Sequence, residues 1–149
     1  MEKDTFTIKY ITPKDAFDLR SNFLRTPTMP PYHAFEGENL PSSLHLGAYD
    51  GNRIVSAVSF VQGKSDHFSQ DKQYMMRAMV TDPDYRNKHA ASIIIEEGIR
   101  ELVKRGTEVV WFNARVYAIP FYEKNGFTVI GDEFMIPDVC MHKVMYKIL

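Results

Sequence analysis

Hydrophobic and polar residues alternate in several short stretches of the chain, which is the pattern of strands with one buried face. The first such stretch contains Phe6, Ile8 and Tyr10. Two longer stretches, at residues 44–49 and 53–61, flank the turn sequence Asp50-Gly51-Asn52 and predict a β-hairpin. Further strands are predicted at residues 73–81, 108–113, 127–130 and 142–148.

Three other segments have the spacing or the boundary residues of helices. Residues 13–24 begin with a proline that suits a first helical turn, and residues 90–105 carry an apolar stripe and end before Gly106. Residues 117–124 end at Asn125-Gly126. The order of elements predicts an α+β fold, with a mixed, strongly twisted sheet and helices on both faces.

Composition narrows the class of protein. The chain has 149 residues, of which 44% are hydrophobic, and we expect a single domain spanning 1–149. The formal net charge of -1 gives no general attraction to nucleic acid or to an anionic membrane, so neither is expected as a partner. Cys140 is the single cysteine, and no apolar run approaches the roughly 20 residues of a membrane span. These features predict a cytoplasmic protein.

Two irregular segments interrupt the pattern. Residues 26–43 combine four prolines with aromatic and acidic side chains, which excludes one long helix and is typical of a functional loop. Residues 63–70 are polar, and we expect a mobile loop there.

The turn between the strand at 73–81 and the helix at 90–105 has the features of an anion site. Free backbone N–H groups and the positive end of a helix dipole meet there, which suits a pyrophosphate. Arg86 and Lys88 add positive charge, while the small Ala90 and Ala91 allow a ligand to approach the backbone. The alternative is an ordinary turn with solvated basic residues.

Two blocks of sequence together resemble the GCN5-related N-acetyltransferase (GNAT) superfamily. The first is Arg77-x-Met79-Val80-Thr81-Asp82-Pro83 leading into Arg86-x-x-His89-x-Ala91, and the second is Phe121-Tyr122-Glu123-Lys124-x-Gly126-Phe127. The resemblance covers the chain from about residue 44 to residue 149. It implies an N-acetyltransferase that moves the acetyl group of acetyl-CoA directly to a small-molecule or peptide amine, and it raises the option of a homodimer.

The resemblance also implies which residues hold acetyl-CoA. The backbone of one strand would pair with the pantetheine amides, and the turn would hold the pyrophosphate. Asn113 or Arg115 would replace the asparagine that the family often places seven residues before its tyrosine. His89 stands where the family has a glycine, and a histidine costs strain if the turn needs a positive φ there. Its side chain either hydrogen-bonds a phosphate or faces solvent with no role. The full set is Met79, Val80, Thr81, Arg86, Asn87, Lys88, His89, Ala90, Ala91, Ser92, Asn113 and Arg115.

The same resemblance suggests catalytic and acceptor-binding residues. Tyr122 would protonate the departing thiolate, since a phenol with a pKa near 10 is protonated at neutral pH; the alternative is a core tyrosine. His142 is a candidate base, with a satisfied sheet histidine as the alternative. His33, Glu36, Glu38 and Arg77 are candidates for the acceptor pocket, where arginines at 77 and 115 suggest a substrate carboxylate or phosphate.

Two other functions remain open from the sequence. The resemblance also implies a glutamate base on the central strand, where this chain has Arg77 instead. This difference and the residues at positions 89 and 115 also fit a non-catalytic CoA-binding or sensor module. An acyltransferase using another acyl-CoA is equally compatible. The five histidines have no recognisable metal-ligand spacing, so no metal is expected.

Overall fold

The computed structural model describes residues 5–24, 35–137 and 140–149. Seven strands follow the order β1 Thr7–Tyr10, β2 Leu44–Asp50, β3 Arg53–Gln62, β4 Gln73–Thr81, β5 Val109–Arg115, β6 Thr128–Ile136 and β7 Cys140–Ile148. The helices are α1 Phe17–Phe23, α2 Ala90–Lys104 and α3 Ile119–Lys124, with 3-10 turns at Pro13–Ala16, Pro83–Tyr85 and Val116–Ala118. None of the helices in these described ranges is long and apolar enough to cross a bilayer.

The strands form one sheet in the order β1-β2-β3-β4-β5-β7-β6. Neighbouring strands are antiparallel except β4 and β5, which are parallel and are joined through α2. β4 and β5 pair only from Gln73 opposite Val109 to Met75 opposite Trp111, and then diverge. The predicted α+β fold, with parallel β4 and β5 separating at their C-terminal ends, is confirmed.

Helices cover both faces of the sheet, as predicted. On one face, Ala57 and Val80 pack against Ala16 and Leu19 at the start of the chain. On the other face, strand residues that include Phe60 pack against Ile94 and other apolar residues of α2. Because side chains alternate along a strand, neighbouring residues of β3 pack into the apolar clusters on opposite faces of the sheet.

The contact between α2 and the sheet is closest at Gly98. A Cβ atom at this position would lie 2.3 Å from Cε2 of Phe60, which is fully buried in β3. Glycine therefore serves here to bring the helix against the sheet rather than to provide an unusual backbone angle.

The structure differs from the sequence prediction in several element bounds, and three differences matter most for the fold. The predicted helix at 13–24 is a 3-10 turn followed by α1. The predicted strand at 127–130 continues to Ile136 across an irregularity that begins after Ile130, where polar residues resemble a turn. The loop at 63–70, predicted to be mobile, is held by the buried side chain of Gln73, which bonds Ser65 N, Phe68 O and Gln70 O.

Candidate active site

A cavity of about 360 Å³ lies where β4 and β5 separate. β4 lines one side of it from Met75 to Thr81, and β5 lines the other with Phe112, Asn113 and Arg115. The rest of the lining consists of Phe23, Leu24, Arg86, Tyr117, Ala118, Tyr122, Ile136 and His142. Candidate cofactor and catalytic residues from distant parts of the sequence therefore meet in one cavity.

A β-bulge in β4 explains part of this separation. Arg77 is opposite Ser59 and Val80 is opposite Ala57, so β4 has one more residue than β3 in this interval. Ala78 takes the left-handed φ of 52°, which is uncommon for a residue with a Cβ. Bulges bend a strand and increase its twist, so the end of β4 turns away from β5.

The predicted phosphate turn leads directly into the N-terminus of α2. Asn87 and His89 have left-handed φ angles of 62° and 68°, and His89 is the N-cap of the helix. Position 89 thus requires the positive φ that a glycine adopts easily, and the histidine bears a strain of about 1–2 kcal/mol. The exposed His89 side chain is adjacent to Arg86 and Lys88 in the turn.

Backbone donors at this helix end remain available for an anion. Ile93 N–H donates to His89 O, and this is the first backbone bond of the helix. The amides of Ala90, Ala91 and Ser92 precede it and point out of the helix end. The Ala90 methyl group is buried in the core, so only its backbone is available to a ligand.

The ring of Tyr122 belongs to the core, and its edge reaches the cavity. The ring centroid is 4.5 Å from that of Phe112 and 6.2 Å from that of Phe127. Burial raises the pKa of the Tyr122 phenol well above its usual value, with Arg115 acting weakly in the opposite direction. Its hydroxyl makes no hydrogen bond to the residues that the structure describes. Both interpretations of Tyr122 from the sequence, core residue and cavity residue, are consistent with this position.

His142 is buried in β7, with Nδ1 2.7 Å from the carbonyl oxygen of Cys140. A carbonyl oxygen only accepts, so Nδ1 carries the proton and donates it in this bond. In the neutral ring, Nε2 then keeps its lone pair. The imidazole is stacked on Phe134 with centroids 5.9 Å apart, which fixes the plane of the ring.

Arg77, Asn113, Arg115 and His142 occupy one face of the sheet. Met75 and Trp111 are partners across β4 and β5, and Arg115 and His142 are partners across β5 and β7. Partners share a face, and so do residues two apart along a strand. This is the face covered by α1, whereas Tyr122 packs with Phe112 on the opposite face. The two candidate catalytic side chains thus approach the cavity from opposite faces of the sheet.

Arg77 is a half-buried cation in the cavity wall. Burial lowers the pKa of its guanidinium, while Glu36 and Glu38 oppose the shift. Within the described ranges, no carboxylate lies close enough to form an ion pair with it. The ring of Phe35 lies against the guanidinium, with its centroid 4.9 Å from Cζ.

The other candidates for the acceptor pocket differ in their burial and in their contacts. Glu38 is buried, and its carboxylate forms an ion pair with Arg20 at 2.6 Å instead of facing the cavity. Glu36 is exposed and acts on Arg77 through its charge. His33 lies outside the described residues.

Sequence reasoning missed several residues that line the cavity or, like Phe35, contact a residue of its wall. Phe23 and Leu24, at the end of α1, reach the cavity only because α1 crosses β4. Tyr117 is largely exposed and its hydroxyl accepts a hydrogen bond from Arg115 at 3.1 Å. Phe35 stood in a proline-rich segment with no periodic pattern, and the nearby cations that it contacts come from other elements. No sequence signal identified these residues.

No three His, Cys, Asp or Glu side chains in the described part of the chain are arranged to hold a metal ion.

Comparison with known proteins agrees with this geometry. Residues 14–127 match the sequence model of the Acetyltransferase (GNAT) family. The chain is 30% identical over 142 residues to the N-acetyltransferase YitI of Bacillus subtilis (strain 168), covering 95% of each chain. Its fold resembles a GNAT-family acetyltransferase from Streptococcus pneumoniae, with a TM-score of 0.72, 17% identity and coverage of 97% of this chain and 100% of that one.

It also resembles an aminoglycoside 6'-N-acetyltransferase solved in complex with coenzyme A, with a TM-score of 0.70, 12% identity and coverage of 95% and 96%. The matched family segment spans the cavity wall of β4, the turn before α2, and α3 with Tyr122. The chain belongs to the GNAT acetyltransferase family and is an acyl-CoA-dependent N-acetyltransferase that acts on an amine.

Proposed function

We propose that this protein transfers the acetyl group of acetyl-CoA to the amine of a small acceptor that carries a negatively charged group. The amine attacks directly, without a covalent enzyme intermediate. The observation that carries the proposal is the cavity between diverging β4 and β5, bordered by Arg86 and reached by Tyr122 and His142 from opposite faces of the sheet.

The features of the gap fit an extended cofactor. On one side of β4, the backbone of Val80 and Thr81 pairs with β3, and Met79 lies in the bulge. On the side toward β5, these three residues have no strand partner, so the pantetheine amides can bind there as an added strand would. Asn113 and Arg115 lie across the gap. The turn of Arg86, Asn87, Lys88 and His89, with the amides of Ala90, Ala91 and Ser92, provides N–H groups and positive charge for the pyrophosphate. Acetyl-CoA supplies the activated acyl group.

Tyr122 is proposed as the proton donor to the departing thiolate. A raised phenol pKa keeps the proton on Tyr122 at neutral pH, where a donor must be protonated. The aromatic packing around its ring holds the hydroxyl at the cavity edge.

His142 is proposed as the base that takes a proton from the acceptor amine. An amine is mostly protonated near neutral pH and must lose a proton before it attacks. The hydrogen bond from Nδ1 to Cys140 O leaves Nε2 as the accepting atom, and the stacked Phe134 holds the ring in place.

The acceptor is proposed to carry a carboxylate or a phosphate. Arg77 and Arg115 are cavity residues on one face of the sheet, and the guanidinium fork of Arg77 has no carboxylate partner in the described part of the chain. Glu36 is proposed to attract the acceptor ammonium at the edge of this region. His33 belongs to the same hypothesis, although it lies outside the described residues.

A thiol-release assay with matched amines tests the reaction. Glycine is compared with glycinamide, and O-phosphoethanolamine with ethanolamine, because each pair differs in one anionic group. We expect release to depend on added amine and to favour one anionic member. Arg77→Met should raise KM for that acceptor by about tenfold or more and leave its neutral partner unchanged. The control Arg100→Met removes an exposed arginine of α2 that does not line the cavity.

Binding separates the alternatives. At a hundred times its dissociation constant, acetyl-CoA should stabilise the protein by about 2.7 kcal/mol, and Arg86→Ala should reduce that shift. Tight binding without release by any anionic amine of the panel would contradict the proposed acceptor class. Faster release from propionyl-CoA than from acetyl-CoA would favour another acyl donor.

The same proposal treats residues 1–149 as one acetyltransferase-like domain in the cytoplasm, in keeping with a single cysteine. It assigns no nucleic-acid, membrane or metal partner, and a homodimer is an option to be tested by sedimentation.

A further inference from the structure

We propose that Glu38 is a positioning residue for acceptor binding: it anchors a buried hydrogen-bonded ring that holds Phe35 against the guanidinium of Arg77. The inference rests on the proposed role of Arg77 in binding the acceptor. Glu38 itself does not line the cavity. Its effect on the reaction passes through two other side chains.

The ring consists of Arg20, Ser59, His45 and Glu38, all of which are buried. Arg20 Nη2 donates to Ser59 Oγ at 2.9 Å, and Ser59 Oγ is 2.7 Å from Nδ1 of His45. His45 Nε2 is 2.7 Å from the carbonyl oxygen of Glu38. The Glu38 carboxylate closes the ring by binding Arg20 Nη1 at 2.6 Å.

The direction of every bond in this ring is determined. The Glu38 carbonyl only accepts, so Nε2 of His45 carries the proton in that bond. Burial lowers the pKa of His45, which favours the neutral ring. Nδ1 is therefore an acceptor and receives a hydrogen bond from the Ser59 hydroxyl, whose oxygen accepts from Arg20. A ring with one consistent arrangement of donors holds its members in one geometry.

Glu38 connects this ring to Phe35. Its Oε2 accepts the backbone N–H of Phe35 at 3.2 Å. The Phe35 ring then lies 5.1 Å from the guanidinium carbon of Arg20 and 4.9 Å from that of Arg77. Ser59, another member of the buried ring, is the direct partner of Arg77 across β3 and β4. The phenyl group of Phe35 therefore lies between the guanidinium of Arg77 and that of Arg20, which belongs to the buried hydrogen-bonded ring.

A purely structural role is a poor explanation for these residues. A buried ion pair is frequently no more stabilising than apolar side chains of similar size. The pair does, however, fix where Phe35 and the Arg77 guanidinium lie, and an acceptor-binding cation has to be held in place to be effective.

Two variants distinguish positioning from stability. The double variant Arg20→Met with Glu38→Met removes both charges and leaves neither unpaired, so its melting temperature should stay near that of the wild type. It removes the acceptor of the Phe35 N–H. We expect its KM for the best amine of the matched panel to rise by about tenfold or more, with KM for acetyl-CoA unchanged.

Glu38→Gln should behave in the opposite way. Its side-chain oxygen still accepts from Phe35 N–H, so acceptor KM should be closer to the wild-type value than in the double variant. Its melting temperature should be lower, because the buried Arg20 loses the charge of the Glu38 carboxylate. Stability and acceptor affinity then rank the two variants in opposite orders. A merely structural pair gives the same order for both.

The NMR signal of the Arg77 side-chain Nε–H group provides a readout that needs no acceptor. The signal is assigned by its absence in Arg77→Met and should shift in the double variant. It should not shift in Glu97→Gln, which removes the partner of an exposed arginine on α2. If no amine in the panel supports release, the proposed function fails and this signal still tests the positioning. An unchanged Arg77 signal or an unchanged acceptor KM in the folded double variant would overturn the inference.

Discussion

Arg115 and His142 are direct partners across the ladder of β5 and β7, so their side chains lie on the same face of the sheet. Tyr122 reaches the same cavity from the core on the opposite face, through its contact with Phe112. This division gives the proposed base and the proposed acid separate approaches to the reacting atoms. In the proposed mechanism, the acceptor and the leaving group then approach each other from opposite faces of the sheet.

The first prediction is that His142→Gln lowers kcat by about 100-fold at pH 7.5, within the range expected for loss of a general base. Acetyl-CoA affinity, measured by calorimetry, should remain at the wild-type value. A variant with wild-type kcat would remove His142 from the mechanism and leave a water chain as the base.

The second prediction concerns Tyr122→Phe. The ring contacts are retained and the hydroxyl has no hydrogen-bond partner in the described part of the chain, so the melting temperature should stay within about 2 °C of the wild type. Turnover should fall by about 100-fold or more if the hydroxyl protonates the thiolate. The control is Tyr10→Phe, which removes an exposed hydroxyl that is bonded to Glu97 and does not line the cavity. Full activity of a folded Tyr122→Phe protein would assign the proton to water.

Much of the fold was predictable because local rules and tertiary packing agree. The turn at 50–52, the strand at 73–81 and the helix after position 89 each carry strong local signals, and β2, β3, β4 and α2 begin where predicted. The last hairpin is different. β6 continues past Gly131, whose φ of 82° lets the chain pass an irregularity instead of turning back. A polar Gly-Asp-Glu sequence is locally compatible with either outcome, and only pairing with β7 decides between them.

The candidate site was predictable to the extent that it is built from contiguous motifs. The turn from Arg86 to Ser92 and the helix with Tyr122 could be read from their sequences. The environment of Glu38 could not, because its partners Arg20, Ser59 and His45 are contributed by α1, β3 and β2. Sequence separation hides such a network: each residue is unremarkable alone, and only the fold brings them together.

The third prediction is that His89→Gly raises the free energy of unfolding by up to about 1 kcal/mol. Relief of left-handed strain should exceed the added entropy of glycine in the unfolded chain. Chemical denaturation measures the change. Ser92→Gly is the matched control, since a residue inside the first turn of α2 should lose about 0.5–1 kcal/mol instead. If acetyl-CoA binds His89→Gly more weakly, the imidazole makes a phosphate contact that offsets its strain.

The fourth prediction follows from His45. Its pKa is lowered in the folded protein, chiefly by burial and further by Arg20, although Glu38 and the hydrogen bond to the Glu38 carbonyl oppose the shift. The unfolded chain then takes up a proton first, near pH 6.5. Below that pH, the free energy of unfolding should fall with a slope of at most about 1.4 kcal/mol per pH unit from this residue. Above it, both states are neutral and the contribution vanishes.

Urea denaturation at pH 5.5 and 7.5 measures this effect. His45→Gln lacks the titrating group, so its stability should change less between the two pH values than that of the wild type. His67→Gln is the control, because His67 lies in the loop between β3 and β4 and is exposed. An equal pH dependence in wild type and His45→Gln would show that other groups account for the acid sensitivity.

The last prediction tests the contact that seats α2 on the sheet. In Gly98→Ala, the new methyl group would lie 2.3 Å from Cε2 and 2.8 Å from Cζ of Phe60, so either the ring or the helix must move. Alanine gains about 1 kcal/mol of helix propensity over glycine, but overpacking typically costs about 1–3 kcal/mol. Since Phe60 is fully buried and has little room to rotate, we expect the free energy of unfolding, measured by urea denaturation, to fall by about 1–2 kcal/mol.

Gly63→Ala is the control: the nearest atom to its new methyl group is 3.9 Å away, so stability should change by less than about 0.5 kcal/mol. Adding Phe60→Leu to Gly98→Ala should cost less than Phe60→Leu does alone, because the smaller side chain makes room for the methyl group. Strict additivity of the two substitutions would mean that the helix shifts as a whole and that the Gly98–Phe60 contact does not set its position.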